Sequence, residues 1–199
     1  MLLEERLKNY RLILSSASPR RQNFFKGMGF DFVLDIRPVN EIYDDALKAE
    51  QITDYLAKKK AEPFTDLQDK DILVTSDTIV WFQGKPLEKA ANRQEAIAML
   101  SSLQDNYHEV ITSICITTKN QQLVRHDKVK VWFDPLDQEQ IAYYVDTYKP
   151  YDKAGSYGIQ EWLGYVAVPR IEGSFFTVMG LPTHLVYKGL SEIVLAADS

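Results

Sequence analysis

The stretch Arg11-Leu12-Ile13-Leu14-Ser15-Ser16-Ala17-Ser18-Pro19-Arg20-Arg21 decides how this chain folds. Its apolar start, Leu12-Ile13-Leu14, is the kind of short run that sheets bury. Ser18 and Pro19 then give two helix-opening signals, a hydroxyl for the N-cap and a ring with φ preset for the first helical position. A strand that passes through a tight loop straight into a helix is half of an α/β unit. The helix should run through Phe24 and Phe25 and stop at Gly27 or Gly29, with a strand over 30–34 behind it.

The alternation continues outward. Residues 46–62 carry Leu47, Ile52, Tyr55, Leu56 and Ala61 at helical spacing, and Pro63 ends the pattern. Ile72-Leu73-Val74 and Ile79-Val80-Trp81-Phe82 read as two strands with Thr75-Ser76-Asp77-Thr78 between them. Asn92 and Glu95 form a capping-box pattern ahead of Ile97, Leu100 and Leu103. Residues 108–118 and 123–133 are β-branched and aromatic, and Lys119-Asn120-Gln121-Gln122 joins them as an antiparallel hairpin. Asp137 caps a helix with Ile141, Tyr144 and Val145, ended by Lys149-Pro150; a strand near 164–171 and a helix opened by Pro182 follow. The pattern predicts an α/β fold, a mixed sheet with flanking helices.

With 199 residues, 45% hydrophobic and 26% charged, the chain suits one domain spanning 1–199, against a soft prior of roughly 150 residues per domain. Its single cysteine, Cys115, excludes an internal disulfide framework and reads as buried and inert. No apolar run approaches the roughly 18 residues that cross a bilayer. The opening Met1-Leu2-Leu3-Glu4-Glu5-Arg6 mixes charges where a signal peptide is apolar, so the expected location is cytoplasmic, with no membrane partner. A net charge of −5 argues against nucleic acid as a partner. A small anion remains open, since it answers to a few local cations.

Four segments could carry chemistry. At 15–21, N–H groups and the positive end of a helix dipole would favour an anion, with Ser16 and Ser18 in the loop and Arg20 or Arg21 as clamp; alternatively the arginines form a basic cap paired with carboxylates. Asp77 could hold Mg²⁺ or take a proton from water, or be a turn aspartate bonding its own backbone. In Lys58-Lys59-Lys60 only Lys60, four residues after Leu56, flanks the apolar face; it could reach a cleft or simply snorkel. Asp152-Lys153-Ala154-Gly155-Ser156-Tyr157-Gly158-Ile159-Gln160 offers glycines for close backbone approach and an amide able to read a nucleobase edge, or is a structural turn. A Walker loop, an esterase elbow and a zinc site are all missing: His108, His126 and His184 lie far apart.

Together the segments resemble the Maf family of nucleoside triphosphate pyrophosphatases. The motifs are Ser16-Ala17-Ser18-Pro19-Arg20-Arg21, Ser76-Asp77-Thr78, the nine residues from Asp152 to Gln160, and Val178-Met179-Gly180-Leu181-Pro182. The family's G-K-P falls in register on Glu88-Lys89-Ala90, which assigns its lysine to Lys89 with Lys85 as fallback. Glu41 aligns with the upstream acidic position. The resemblance implies the inosine triphosphate pyrophosphatase-like fold, two lobes around a central cleft. It implies hydrolysis of a nucleoside triphosphate, dTTP or UTP, to the monophosphate and pyrophosphate with Mg²⁺, Mn²⁺ or Co²⁺. Asp77 would be catalytic and, with Glu41, metal-associated. Ser16, Ser18, Arg20, Arg21, Lys60, Thr78, Lys89, Lys153 and Gln160 would bind substrate. A role in nucleotide-pool sanitation or cell-division arrest follows, and a homodimer is compatible. The alternative is a nucleotide-binding regulator of cell division with little or no turnover, favoured by the altered Glu88/Ala90 loop.

Overall fold

Strand β1 (Arg11–Leu14) lies parallel to both of its neighbours, β2 (Val33–Leu34) and β3 (Asp71–Phe82), with Ile13 opposite Val33 on one side and Leu73 on the other. The structure is a computed structural model describing residues 2–197. The remaining strands are β4 (Lys85–Leu87), β5 (Asn106–Thr117), β6 (Gln122–Phe133) and β7 (Arg170–Glu172). The strand order is β2-β1-β3-β5-β6-β7, with β4 also on β3; the β3–β4 and β6–β7 pairs are antiparallel, so the sheet is mixed. Flanking it are α1 (Leu3–Leu7), α2 (Pro19–Gly27), α3 (Glu50–Lys59), α4 (Arg93–Leu103), α5 (Gln138–Tyr148), α6 (Trp162–Val166), α7 (Phe175–Val178) and α8 (Thr183–Ala197). The protein is α/β.

The chain divides into two compact units. Unit 1 comprises Met1–Asp77, Thr112–Asp127 and Gly180–Ser199; unit 2 comprises Thr78–Ile111 and Lys128–Met179. In unit 1 the pleat sorts the apolar runs onto two faces. Leu12, Leu14, Ile72, Val74, Ile114 and Ile116 pack with Leu3, Leu7, Phe25, Val186 and Leu190. Ile13, Leu73 and Cys115 pack with Ala57, Ala61 and Phe64. Burial on both faces is why these strands read as continuous apolar runs rather than alternating ones. Unit 2 has its own core, in which Val80, Phe82, Leu100, Leu103, Val110, Val129 and Val131 meet Ile141, Tyr144 and Val145.

The local signals for helices hold. Ser18 caps α2, its Oγ accepting from Arg21 N–H at 3.5 Å, and Gly29 sits at φ 73° after the helix. Asn92 accepts from Glu95 N–H at α4, while Asp137 and Gln140 form a reciprocal capping box at α5. The β5–β6 hairpin closes at Thr118 N–H on the Gln121 carbonyl, and Cys115 is buried.

Four expectations change. Residues 71–82 form one continuous strand, because Thr75 and Asp77 are buried polar residues with partners: Thr75 Oγ1 donates to the Ala57 carbonyl at 2.6 Å and Asp77 meets Lys60. Asp77 is therefore a mid-strand residue, not a turn aspartate. Helix α3 starts at Glu50 rather than 46, since Ala49 at φ 50° cannot be helical and Leu47 N–H closes a turn on Asp44. The strand at 30–34 shrinks to Val33–Leu34. The stretch 164–171 holds the end of α6 and the start of β7 instead of one strand.

Candidate active site

Unit 1 gathers most of the candidate residues around the carboxyl end of β1. The ladder continues one residue past β1, with Ser15 N–H on the Val74 carbonyl at 3.0 Å. Ser16, buried, turns the loop: its Oγ accepts from Ser18 N–H at 3.2 Å and its carbonyl accepts from Gln22 Nε2 at 3.1 Å. These bonds fix the entry to α2 and so the direction of Arg20 and Arg21, the latter crossing to two carbonyls. Arg21 Nε donates to the Gly180 oxygen at 2.7 Å and Nη1 to the Ser76 oxygen at 3.0 Å. Burial lowers the pKa of Arg21, while Asp77 opposes that effect; a guanidinium keeps its charge regardless.

Asp77 is 7% exposed. Its Oδ1 lies 2.6 Å from Lys60 Nζ, and the same ammonium lies 3.2 Å from Glu41 Oε2. Lys60 follows the last turn of α3, its N–H on the Leu56 carbonyl at 3.0 Å, so the helix end aims the side chain at β3. Burial pushes the Asp77 carboxyl up from the ordinary carboxylate range, with Lys60 and Arg21 pulling the other way. A carboxylate tuned upward is the better proton acceptor near neutrality.

Two hard carboxylate oxygens converging on one cation suit a divalent ion shared with phosphate oxygens. Among the described residues, no group of three or more His, Cys, Asp or Glu could hold a metal. Asp77 and Glu41 are the residues of this site whose oxygens suit such an ion. The histidines stand elsewhere: His126 Nδ1 is 3.2 Å from Asp54 Oδ2, His184 Nε2 is 3.9 Å from Asp127 Oδ2, and His108 is buried against Tyr157.

The other candidates belong to unit 2. Thr78 is the next residue of β3. Lys85 lies in β4, opposite Phe82. Lys89 pairs by its backbone with Ala154, and Gly155 N–H bonds the Leu87 and Glu88 carbonyls at 3.2 and 3.1 Å. Ala90, 3% exposed, sits in the core of this unit, so the Glu88-Lys89-Ala90 loop is held at both sides of Lys89. Lys153 Nζ meets Asp152 at 2.8 Å and Glu161 at 3.1 Å. Gln160 lies inside a turn closed by Glu161 N–H on the Gly158 carbonyl at 3.0 Å. Sequence reasoning missed Glu161 and Tyr144, which hold this turn; the only signal was that Glu161 directly follows Gln160.

An N-cap loop with two arginines, beside a lysine joining two carboxylates, makes this an α/β protein equipped for a phosphate-bearing ligand. A family model described as Maf-like protein matches residues 11–193, and the chain belongs to the Maf family. The dTTP/UTP pyrophosphatase of Flavobacterium johnsoniae is 51% identical over 194 residues, covering 97% of this chain and 100% of the relative. That of Christiangramia forsetii is 50% identical over 194 residues, covering 97% and 99%. That of Parabacteroides distasonis is 47% identical over 188 residues, covering 94% and 97%. The structure of a HAM1 protein from Coxiella burnetii is similar at 14% identity and a TM-score of 0.38, over 62% of this chain and 73% of that one, too slight to carry an argument.

Proposed function

We propose that this chain hydrolyses nucleoside triphosphates, dTTP and UTP foremost, to the monophosphate and pyrophosphate. The observation that carries the reading is the buried Asp77 carboxylate held 2.6 Å from Lys60. Relatives of about half identity named dTTP/UTP pyrophosphatase support it. Attack of water at the α-phosphorus needs a proton acceptor and positive charge for the leaving pyrophosphate. Asp77 takes the water's proton, its upward tuning by burial matching that task. Lys60 and Arg20 neutralise phosphate oxygens beside the Ser16–Ser18 loop. Arg21, with Nε and Nη1 committed to Gly180 and Ser76, holds the backbone next to Asp77 instead of clamping phosphate. Asp77 and Glu41 would hold a divalent cation, Mg²⁺, Mn²⁺ or Co²⁺, which would supply Lewis-acid charge on the phosphates when bound. In unit 2, Lys89 is assigned to phosphate and Thr78 and Gln160 to the base.

The chain acts as one functional domain, since unit 1 is assembled from three separate stretches and unit 2 from two. Its net charge of −5 favours free nucleotides over nucleic acid. Among the described residues no helix is long and apolar enough to cross a membrane. A cytoplasmic homodimer serving pool sanitation or cell-division arrest completes the proposal. The alternative, a nucleotide-binding regulator with little or no turnover, rests on the substituted Glu88/Ala90 loop, whose backbone is anchored by Ala154, Gly155 and the core.

The test is pyrophosphate release with each metal across the common nucleoside triphosphates, wild type beside Asp77→Asn. A drop in kcat of roughly 10² to 10⁴ in the variant is expected for a lost acid/base group. Unchanged turnover in a folded Asp77→Asn protein would remove Asp77 from the reaction.

A further inference from the structure

The turn that carries Gln160 is bolted from beneath by side chains of unit 2, two of which, Tyr144 and Glu161, lie outside the motif from Asp152 to Gln160. Tyr144, on α5 and fully buried, accepts the Gly158 N–H at its hydroxyl oxygen at 2.9 Å. The same hydroxyl donates its proton to Glu161 Oε2. Glu161 Oε1 lies 3.1 Å from Lys153 Nζ, whose other partner is Asp152 Oδ1 at 2.8 Å. Just upstream, the Tyr157 hydroxyl meets His108 Nε2 at 2.6 Å, and the Phe133 ring stands edge-on to both. Burial holds the His108 imidazole down at about 3, so it is neutral and acts on Tyr157 as a hydrogen-bond partner only.

Backbone spacing around Gln160 is equally tight. A Cβ on Gly158 would come within 3.0 Å of Gln160 Nε2 and 2.9 Å of Glu161 Cδ, so the amide lies folded against the Gly158 backbone. A Cβ on Gly164 would stand 1.7 Å from the Ile159 oxygen, so α6 packs directly on the chain just before Gln160. An amide carries a donor and an acceptor on a flexible stem, and it discriminates between base edges only if its orientation is fixed.

We propose that Tyr144 and Glu161 are positioning residues for base selection. Tyr144 ties Gly158 and Glu161 together on either side of Gln160. Lys153 holds the far oxygen of Glu161, which makes its ammonium part of this scaffold rather than a direct substrate ligand. The Gln160 amide then offers one donor–acceptor arrangement to a pyrimidine, and a base with a different edge leaves it unpaired. The proposal rests on the triphosphate reading above.

The test compares wild type, Tyr144→Phe and Glu161→Gln, with Gln160→Ala as the reference for lost base reading. Pyrophosphate release is followed with dTTP, UTP, CTP and GTP. In Tyr144→Phe the preference in kcat/KM for dTTP over CTP should fall about tenfold, the size of one lost interaction, and more through KM than through kcat. Glu161→Gln keeps an acceptor for Tyr144 but loses the charge facing Lys153, so its preference should fall by less. A preference unchanged in both variants, or an equal loss on all four nucleotides, would overturn the proposal. If Tyr144→Phe does not fold, Glu161→Gln decides alone. A wild type that releases no pyrophosphate from any of the four would instead sink the triphosphate reading, and the dTTP-over-CTP ratio of dissociation constants in the same proteins would then judge the positioning.

Discussion

Lys60 joins two carboxylates from different parts of unit 1, its Nζ 2.6 Å from Asp77 Oδ1 and 3.2 Å from Glu41 Oε2. Its side chain is 18% exposed and that of Asp77 9%, whereas Glu41 is 52% exposed. The Asp77 half of this arrangement is thus a buried pair and the Glu41 half a solvated one. Breaking a buried pair from one side is costly because it strands the other charge.

Lys60→Met should therefore destabilise the fold by about 3 kcal/mol, the low end for an uncompensated buried charge, unless Asp77 takes up a proton. Either way its carboxylate loses the ammonium that sets it. Pyrophosphate release should drop by roughly 10², as when one charge-stabilising donor is removed from a site. Lys60→Arg should not restore it, since a planar fork cannot replace a point charge between two carboxylates. Urea unfolding and turnover measured on the same samples check this; wild-type turnover in Lys60→Met would refute it.

Removing metal should separate activity from stability. Asp77 and Glu41 already face an ammonium, and no larger cluster of metal-binding groups exists among the described residues. A chelator should abolish turnover yet leave the melting temperature unchanged, and Mg²⁺ without nucleotide should not raise it. A large shift in melting temperature on adding Mg²⁺ alone would mean that a preformed protein cage exists.

What the sequence made legible was local. Ser18 with Pro19, Asn92 with Glu95 and the cap Asp137 all act within one helical turn, and α2, α4 and α5 begin where those residues put them. The continuity of β3 was not legible, because Thr75-Ser76-Asp77-Thr78 resembles a turn. What partners those residues in the strand is the Ala57 carbonyl of α3 and the ammonium of Lys60 just after it, both distant in sequence. Nor could spacing reveal Tyr144 and Glu161, whose hydrogen bond joins α5 to the start of α6. Lys89 was chosen over Lys85 by register alone, and spacing could not reveal that its backbone pairs with Ala154 in the late motif.

The sequence left open whether Gly155 gives room beside a ligand or belongs to a structural turn, and the structure gives it a structural reason. It sits at φ 68°, and a Cβ there would approach Val80 Cγ2 to 2.8 Å, so the close approach is to the protein's own strand β3. Gly155→Ala combines an unfavourable backbone conformation with overpacking, and should cost about 2–3 kcal/mol. Val80→Ala alone costs stability as a core truncation, so the overpacking part should appear as the coupling between the two substitutions in a double-mutant cycle. A Gly155→Ala protein as stable in urea as the wild type would show that the loop can shift freely.

Arg11 and Asp71 give a pH dependence with a definite sign. Burial alone would push Asp71 up, but the Arg11 guanidinium, at 2.8 and 2.5 Å, and the Gln68 N–H, at 2.9 Å, outweigh it and hold the carboxyl below its ordinary 3.8. A carboxylate with a lower pKa folded than unfolded adds stability that is complete above the unfolded value and disappears as pH falls through the folded one. Because the Arg11 side chain is 58% exposed, solvent screens its share, and Arg11→Met should cost at most about 1 kcal/mol. The gap between wild type and Arg11→Met in urea unfolding should be constant above pH 5 and close as the pH drops below 3.8. A gap that widened on acidification would show that Arg11 does not act through Asp71.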